Sequence, residues 1–428
     1  MSLVSVSSSD AEKIRKLPWA VLASIPYAAF SAWALGPVFL LFLGELGLDK
    51  ARIGVISFLW PFCGLLSPLV APTVYRFGVK RAALLFWTIR KLIIGLLALT
   101  PLVAQRLGTE GAFRWVAGIM LGFGVCRAIA ETGEYPWHQE AVPNTVRGRL
   151  AAVTSVVSTV SAIGAVGLAA HVTGHGIGLQ GFTTLFVLAA AMGLLFVWCQ
   201  SHLLGGAPSE RRTSTSAHLR GMAEALSDRN LRVFLVAQPL VTLASAFSVT
   251  FIPLYAKEQV GLTLGNAVSL SMATNAGALL SSYLWGWNAD RHGSKPVMLG
   301  SLLLATLLPP SWFFMPRQGE WRLALAMAAS FIQGAMTVGW SIGYSRYLYV
   351  KAIPADKRSA YLSVYYPWTE FVSGLGPLLA GVLLSAFSGA RGHIFGCSVD
   401  SYSPLFALSL ACMVAAIVLV RRLRGDKA

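Results

Sequence analysis

The chain has 428 residues, of which 55% are hydrophobic and only 12% charged, and its mean hydropathy is +0.64. A soluble domain carries about 25% charged residues, and single soluble cores stop growing near about 250–300 residues, so an ordinary water-soluble fold is excluded. The net charge of +16 does not imply a nucleic-acid partner, because Lys and Arg fall between apolar runs, the pattern of inner membrane loops.

A membrane span needs roughly 20 apolar residues. In chain order the candidates are 17–43, 53–74, 82–104, 113–139, 150–172, 179–202, 232–255, 263–287, 297–315, 322–349, 359–387 and 402–421, called spans 1 to 12 below. The first run is too long for the apolar region of a signal peptide and reads as a retained helix. Spans 4, 10 and 11 exceed the minimum and are expected to tilt or to extend beyond the bilayer.

With the N-terminus placed inside, the inner segments hold 22 Lys and Arg and the outer segments 8. That asymmetry puts both termini in the cytoplasm, with lipid as a surrounding partner. The longest inner connection, 205–230, begins with a Gly-Pro-Ser-Thr-rich stretch and continues into an expected amphipathic helix near 218–226. It divides the chain into an N-terminal six-helix bundle (1–204), a cytoplasmic linker (205–230) and a C-terminal six-helix bundle (231–428). Cys63, Cys126, Cys199 and Cys412 lie in apolar runs and Cys397 in a polar loop. No disulfide framework, CxxC metal motif or cofactor motif appears.

The halves repeat weakly. Ala141-Val142-Pro143 with Arg147 matches Ala352-Ile353-Pro354 with Arg358 at an offset of 211, and Arg76-Phe77-Gly78-Val79-Lys80 matches Arg291-His292-Gly293-Ser294-Lys295 at 215. Parallel half-repeats of six spans organise one large class of secondary transporter. Gly286 to Pro296, with Asp290, Arg291, Gly293 and Lys295, resembles the inner loop of the major facilitator superfamily, and it falls between spans 8 and 9, where that family has its second copy. The first copy keeps Arg76, Gly78 and Lys80 but has Tyr75 where the family has Asp.

The resemblance implies an all-α integral membrane protein of two six-helix bundles around a central cavity, alternating between inward-open and outward-open states, in a bacterial inner membrane. In it the loop residues Asp290, Arg291, Gly293, Lys295, Arg76 and Gly78 act as a gate. Asp is expected to cap a neighbouring helix, and Arg and Lys to hold opposing helix ends or anionic headgroups. Span 11 carries Gly374-Leu375-Gly376-Pro377-Leu378-Leu379-Ala380-Gly381, a pattern for close helix packing.

Ionisable residues at bilayer depth mark function by default. In span 4, Arg127, Glu131, Glu134 and His138 recur at one helical face; they form the first candidate site for a solute or a proton. The structural alternative is a plain Arg127–Glu131 pair. Arg90 and Lys91 are adjacent in span 3, so they cannot share one partner; one is expected to pair with a span-4 carboxylate and the other to snorkel. Glu370 in span 11 has no neutralising residue on its own helix and is a candidate proton carrier. Trp340 and Tyr344 in span 10 are candidate stacking residues, with Tyr27 and Trp33 in span 1 weaker ones.

Within the resemblance, the leading expectation is secondary active transport of a small charged molecule or ion, with proton coupling as one form. An iron or metal-chelate variant rests on the Glu131-x-x-Glu134 string, with His138 as a third ligand. It resembles acidic pairs of iron-transport and magnetosome-associated proteins, although Arg127 opposes a cation there. A non-transporting membrane assembly factor on the same fold is the alternative of a different class. No nucleotide loop, Ser/His/Asp set or zinc motif points to an enzyme.

Overall fold

The computed structural model describes residues 10–175, 178–206, 223–353, 358–390, 392–394 and 397–423. These are helical almost throughout. The exception is a small antiparallel pair, Gly392–Ile394 with Cys397–Val399, and the all-α membrane class expected from the sequence stands. The pair sits in the long polar loop before span 12, where backbone groups outside any helix find partners in each other.

Ten helical stretches are long and apolar enough to cross a membrane. One of them, Val79–Ala141, is 63 residues long and holds spans 3 and 4. Gly108, at φ 67° and ψ −172°, turns the chain between them, a conformation open to glycine alone. Span 8, Leu264–His292, is helical but too polar to be one of the ten. Several of its hydroxyls are satisfied within the helix: Thr274 donates to the Leu270 carbonyl at 3.2 Å and Ser281 to that of Gly277 at 2.7 Å. Such back-bonding lets a polar helix lie in an apolar medium. All twelve expected spans are therefore helices.

Several spans are broken where the sequence reads as continuous. Span 1 is Pro18–Ala34 followed by Pro37–Glu45, and span 2 is Lys50–Phe62, a 3-10 turn Cys63–Leu66, and Ser67–Phe77. Spans 7 and 9 restart at Ile252 and Leu308, each with proline in the first turn. Proline lacks the N–H that would continue a helix, but it is accommodated at a helix start.

Contacts between Cα atoms divide the chain into two compact units, Met1–Leu46 with Phe62–Arg212 and Gly47–Pro61 with Thr213–Ala428. Most of the linker, 207–222, lies outside the described residues, as does most of the expected amphipathic helix; residues 223–227 are helical.

In the first unit the core gathers Trp87, Trp137, Ala83, Ala130 and Phe196. Spans 3 and 4 touch closely at Gly133, where a Cβ would lie 2.6 Å from the Val79 carbonyl oxygen. In the second unit the core gathers Phe234, Trp340, Tyr347, Tyr361 and Tyr365. Spans 8 and 10 meet backbone to backbone: a Cβ on Gly334 would lie 1.8 Å from the Thr274 oxygen, and one on Gly277 2.0 Å from that of Phe331. The glycines of span 11 behave likewise, since a Cβ on Gly381 would lie 2.3 Å from the Lys50 oxygen. At one end of this unit Lys50 pairs with Glu258, which also accepts from the Tyr402 hydroxyl at 2.7 Å.

The half-repeat has a physical counterpart. Gly78 and Gly293 both turn at positive φ, 103° and 90°. The lysine two residues on then reaches the carbonyls that end the last span of its own half. Lys80 donates to Leu203, and Lys295 donates to Arg421 and Leu423 at 2.7 and 2.8 Å. Arg147 closes span 4 the same way, donating to the Gln139 and Val142 carbonyls. In the second copy Pro354 lies outside the described residues, as does the Arg358 side chain.

Candidate functional site

Spans 3 and 4 run side by side, and each brings ionisable side chains to the middle of the first unit. Helical spacing puts Arg127 one turn from Glu131 on span 4, and the Arg127 Nε donates to Glu131 Oε1 at 2.8 Å. Arg90 of span 3 approaches the same oxygen, with its terminal nitrogen at 3.6 Å. One carboxylate thus holds two guanidinium groups. The Arg90 side chain is 5% exposed, Arg127 14% and Glu131 28%, so Glu131 is the most exposed of the three and Arg90 backs the pair. Arg90 also lies over the Phe123 ring at 5.6 Å.

Lys91 does not snorkel. It is fully buried, and its Nζ lies over the Phe30 ring at 3.0 Å from the centroid and 5.5 Å from those of Tyr27 and Phe196. The ammonium has no hydrogen-bond partner among the described residues. Its position follows from packing: at mid-span the stem cannot reach an interface, and Gly193 of span 6 leaves room for it, since a Cβ there would lie 2.6 Å from Lys91 Cδ. Cation–π contact replaces an anion. Glu134, one turn below Glu131, is half-buried and makes no ion pair or hydrogen bond with the described residues.

His138 points elsewhere. It packs against the Trp137 and Trp87 rings at 5.4 and 6.4 Å, and its Nε2 has no partner among the described residues. Among the described residues no three His, Cys, Asp or Glu side chains gather into a group able to hold a metal. The expected metal set Glu131, Glu134 and His138 is not brought together, because the large Trp87 and Trp137 side chains occupy the space around the imidazole.

The other candidates lie in the second unit. Trp340 is buried; its Nε1 donates to Gln238 Oε1 at 3.0 Å and its ring tilts against Tyr344 at 6.1 Å. Trp340 is thus committed to packing, while Tyr344 lies at the core's margin. Glu370 is half-buried on span 11. Sequence reasoning missed two contacts of the same span: the Tyr366 hydroxyl shares a hydrogen bond with that of Tyr349 at 2.8 Å, and Trp368 donates to the Leu235 carbonyl. The run Tyr365-Tyr366-Pro367-Trp368 was the available signal. Trp33 is likewise occupied, donating to the Ala165 carbonyl at 2.8 Å.

In the loop between spans 8 and 9 Asp290 pairs with Arg346 of span 10. Arg291 lies over the Trp287 ring at 5.3 Å, and Arg76 is exposed. A groove of about 620 Å³ along spans 1 and 5, lined by Leu17, Val21, Leu22, Val146, Arg149 and Val153, contains none of the span-4 stripe.

The Major Facilitator Superfamily model matches residues 234–428. An uncharacterized MFS-type transporter of Bacillus subtilis (strain 168), YuxJ, is 29% identical over 116 residues; that match covers 27% of this chain and 28% of the relative's length. Among solved structures, a POT family transporter in complex with 5-aminolevulinic acid superposes at a TM-score of 0.70 and 13% identity, over 96% of both chains. The nucleoside transporter NupG gives 0.67 at 14%, over 96% of this chain and 98% of its own. A bacterial homologue of the iron transporter ferroportin gives 0.68 at 12%, over 97% and 99%. At these identities the likeness is one of fold.

Proposed function

We propose that this chain, which belongs to the Major Facilitator Superfamily by its matched C-terminal half and its fold, is a secondary transporter of a small charged solute working by alternating access. The observation that carries this reading is the Arg90–Glu131–Arg127 cluster, which joins spans 3 and 4 inside the first unit and leaves the Glu131 side chain partly exposed. Charges there are costly unless they do something. A merely structural role is met by one pair, whereas here two guanidinium groups, an ammonium and a second carboxylate gather around it.

Glu134 and Glu370 are the proposed proton-handling carboxylates, and Asp290, Arg291, Gly293, Lys295, Arg76 and Gly78 the proposed gate. The proposed setting is a bacterial inner membrane with both termini cytoplasmic. The proposed division into two bundles joined by 205–230 follows the half-repeat.

Variants of the pair test the reading. Removing one member strands the other's charge, at a cost of about 3–5 kcal/mol for a buried pair, less here because Glu131 is partly exposed. Arg127→Gln should therefore lower the folded protein level. Arg127→Gln with Glu131→Gln should restore the level yet abolish solute uptake by proteoliposomes. Full uptake by that well-folded double variant would remove the pair from the site.

A further inference from the structure

We infer that the span 3–span 4 cluster is an oxyanion subsite, taking a carboxylate or phosphate group of the solute; this rests on the transporter reading above. The argument begins with donors and acceptors. A guanidinium carries five N–H donors, so Arg90 and Arg127 together offer roughly ten. Glu131 Oε1 accepts a short bond from Arg127, but its 3.6 Å approach to Arg90 is too long for a good hydrogen bond. The Arg90 Nε is buried with no acceptor among the described residues, and so is the Lys91 ammonium. Buried polar groups are nearly always partnered. Two cationic side chains, each more than nine-tenths buried, therefore each keep a nitrogen without an acceptor among the described residues: Arg90 its Nε and Lys91 its Nζ.

Charge points the same way. Arg90, Lys91 and Arg127 are three cations against the two carboxylates Glu131 and Glu134, and a single negative charge neutralises the excess. Without Lys91 the numbers are equal, yet the one paired carboxylate still serves two guanidinium groups. A cationic solute would have to enter against these charges and pull Glu131 from both arginines. An oxyanion has only to accept the bond that the Arg90 Nε leaves unmade, in the planar geometry that guanidinium groups favour. Glu131 is then an internal competitor, holding the arginines in place while the subsite is empty.

The test is thermal unfolding of the purified full chain in acetate, inorganic phosphate, acetamide or methylammonium, at ionic strength fixed with sodium chloride. Acetate and phosphate should raise the midpoint of the unaltered protein, and acetamide and methylammonium should not. Glu131→Gln removes the competitor, so it should reach the same acetate shift at about tenfold lower concentration. Arg127→Gln with Glu131→Gln should keep only the non-specific salt effect, which acts on every form alike. If Glu131→Gln does not fold, the contrast between the unaltered protein and the double variant still decides. A shift by methylammonium or acetamide alone, or an acetate shift unchanged in the double variant, overturns the oxyanion assignment and leaves the transporter reading standing. No shift by any probe, together with no solute uptake by proteoliposomes, overturns both.

Discussion

The two halves of this chain repeat one another in helix order but not in what their spans bury. Carried over by the offsets of the two matched loops, Arg127, Glu131 and Glu134 fall on Val338, Ile342 and Ser345, and Arg90 and Lys91 on Ala305 and Thr306. The first half holds charges where the second holds apolar or hydroxyl side chains. The second half brings backbones together more closely, at Gly277 and Gly334, and lines its core with Trp340, Tyr347, Tyr361 and Tyr365. One architecture thus accommodates an ionic interior on one side and a packed aromatic one on the other. The inner loops show the inverse exchange. The Asp290–Arg346 pair of the second half corresponds to Tyr75 and Tyr135 in the first. The shared physics of the repeat is therefore the Gly turn and the Lys that ties off a helix end, not the charges around them.

The comparison breaks first at the glycine contacts. Gly334→Leu would place side-chain atoms where the span-8 backbone stands, and overpacking of this size has no soft neighbour to yield. The expected outcome is loss of folded protein, seen as the absence of a monodisperse peak in size-exclusion chromatography. A well-folded Gly334→Leu protein would show that the second half is not governed by backbone contact.

Lys91 sharpens the other side. A buried charge without an anion is a stability cost, and replacing such groups by apolar ones of similar volume is often neutral or stabilising by about 1–4 kcal/mol. Lys91→Met, whose side chain fits the space beside Gly193, should keep or raise the unfolding temperature while weakening acetate-dependent stabilisation. A lower unfolding temperature would mean that Lys91 is compensated after all.

The inner-loop exchange predicts a smaller effect. The Asp290–Arg346 pair is largely exposed on the Asp290 side, so Asp290→Asn should cost below about 1 kcal/mol of stability. Its expected effect is on transport, larger than that of Tyr75→Phe, and on the accessibility of introduced cysteines at the two membrane faces. Unchanged uptake and accessibility would take Asp290 out of the gate. Least disruptive are reporter fusions after Asn230 and after Ala428, which should be active only with a cytoplasmic reporter; a periplasmic signal from either overturns the orientation read from Lys and Arg.

The sequence by itself determined the twelve spans, the repeated Gly-x-Lys loops and the shared face of Arg127, Glu131 and Glu134, because each follows from hydropathy and helical spacing along a single stretch of chain. Only the tertiary structure decided that Arg90 is the residue of span 3 that joins Glu131, and that Lys91 lies over Phe30 beside Gly193. It likewise decided that His138 turns to Trp87 and Trp137, that Gln238 takes the Trp340 N–H, and that Asp290 meets Arg346. Each of these pairs joins different helices, and the 3.6-residue period fixes which residues share a face without fixing how that helix is rotated or shifted against its neighbour. That register is set by where bulky rings and missing Cβ atoms allow two backbones to approach, which no local pattern records.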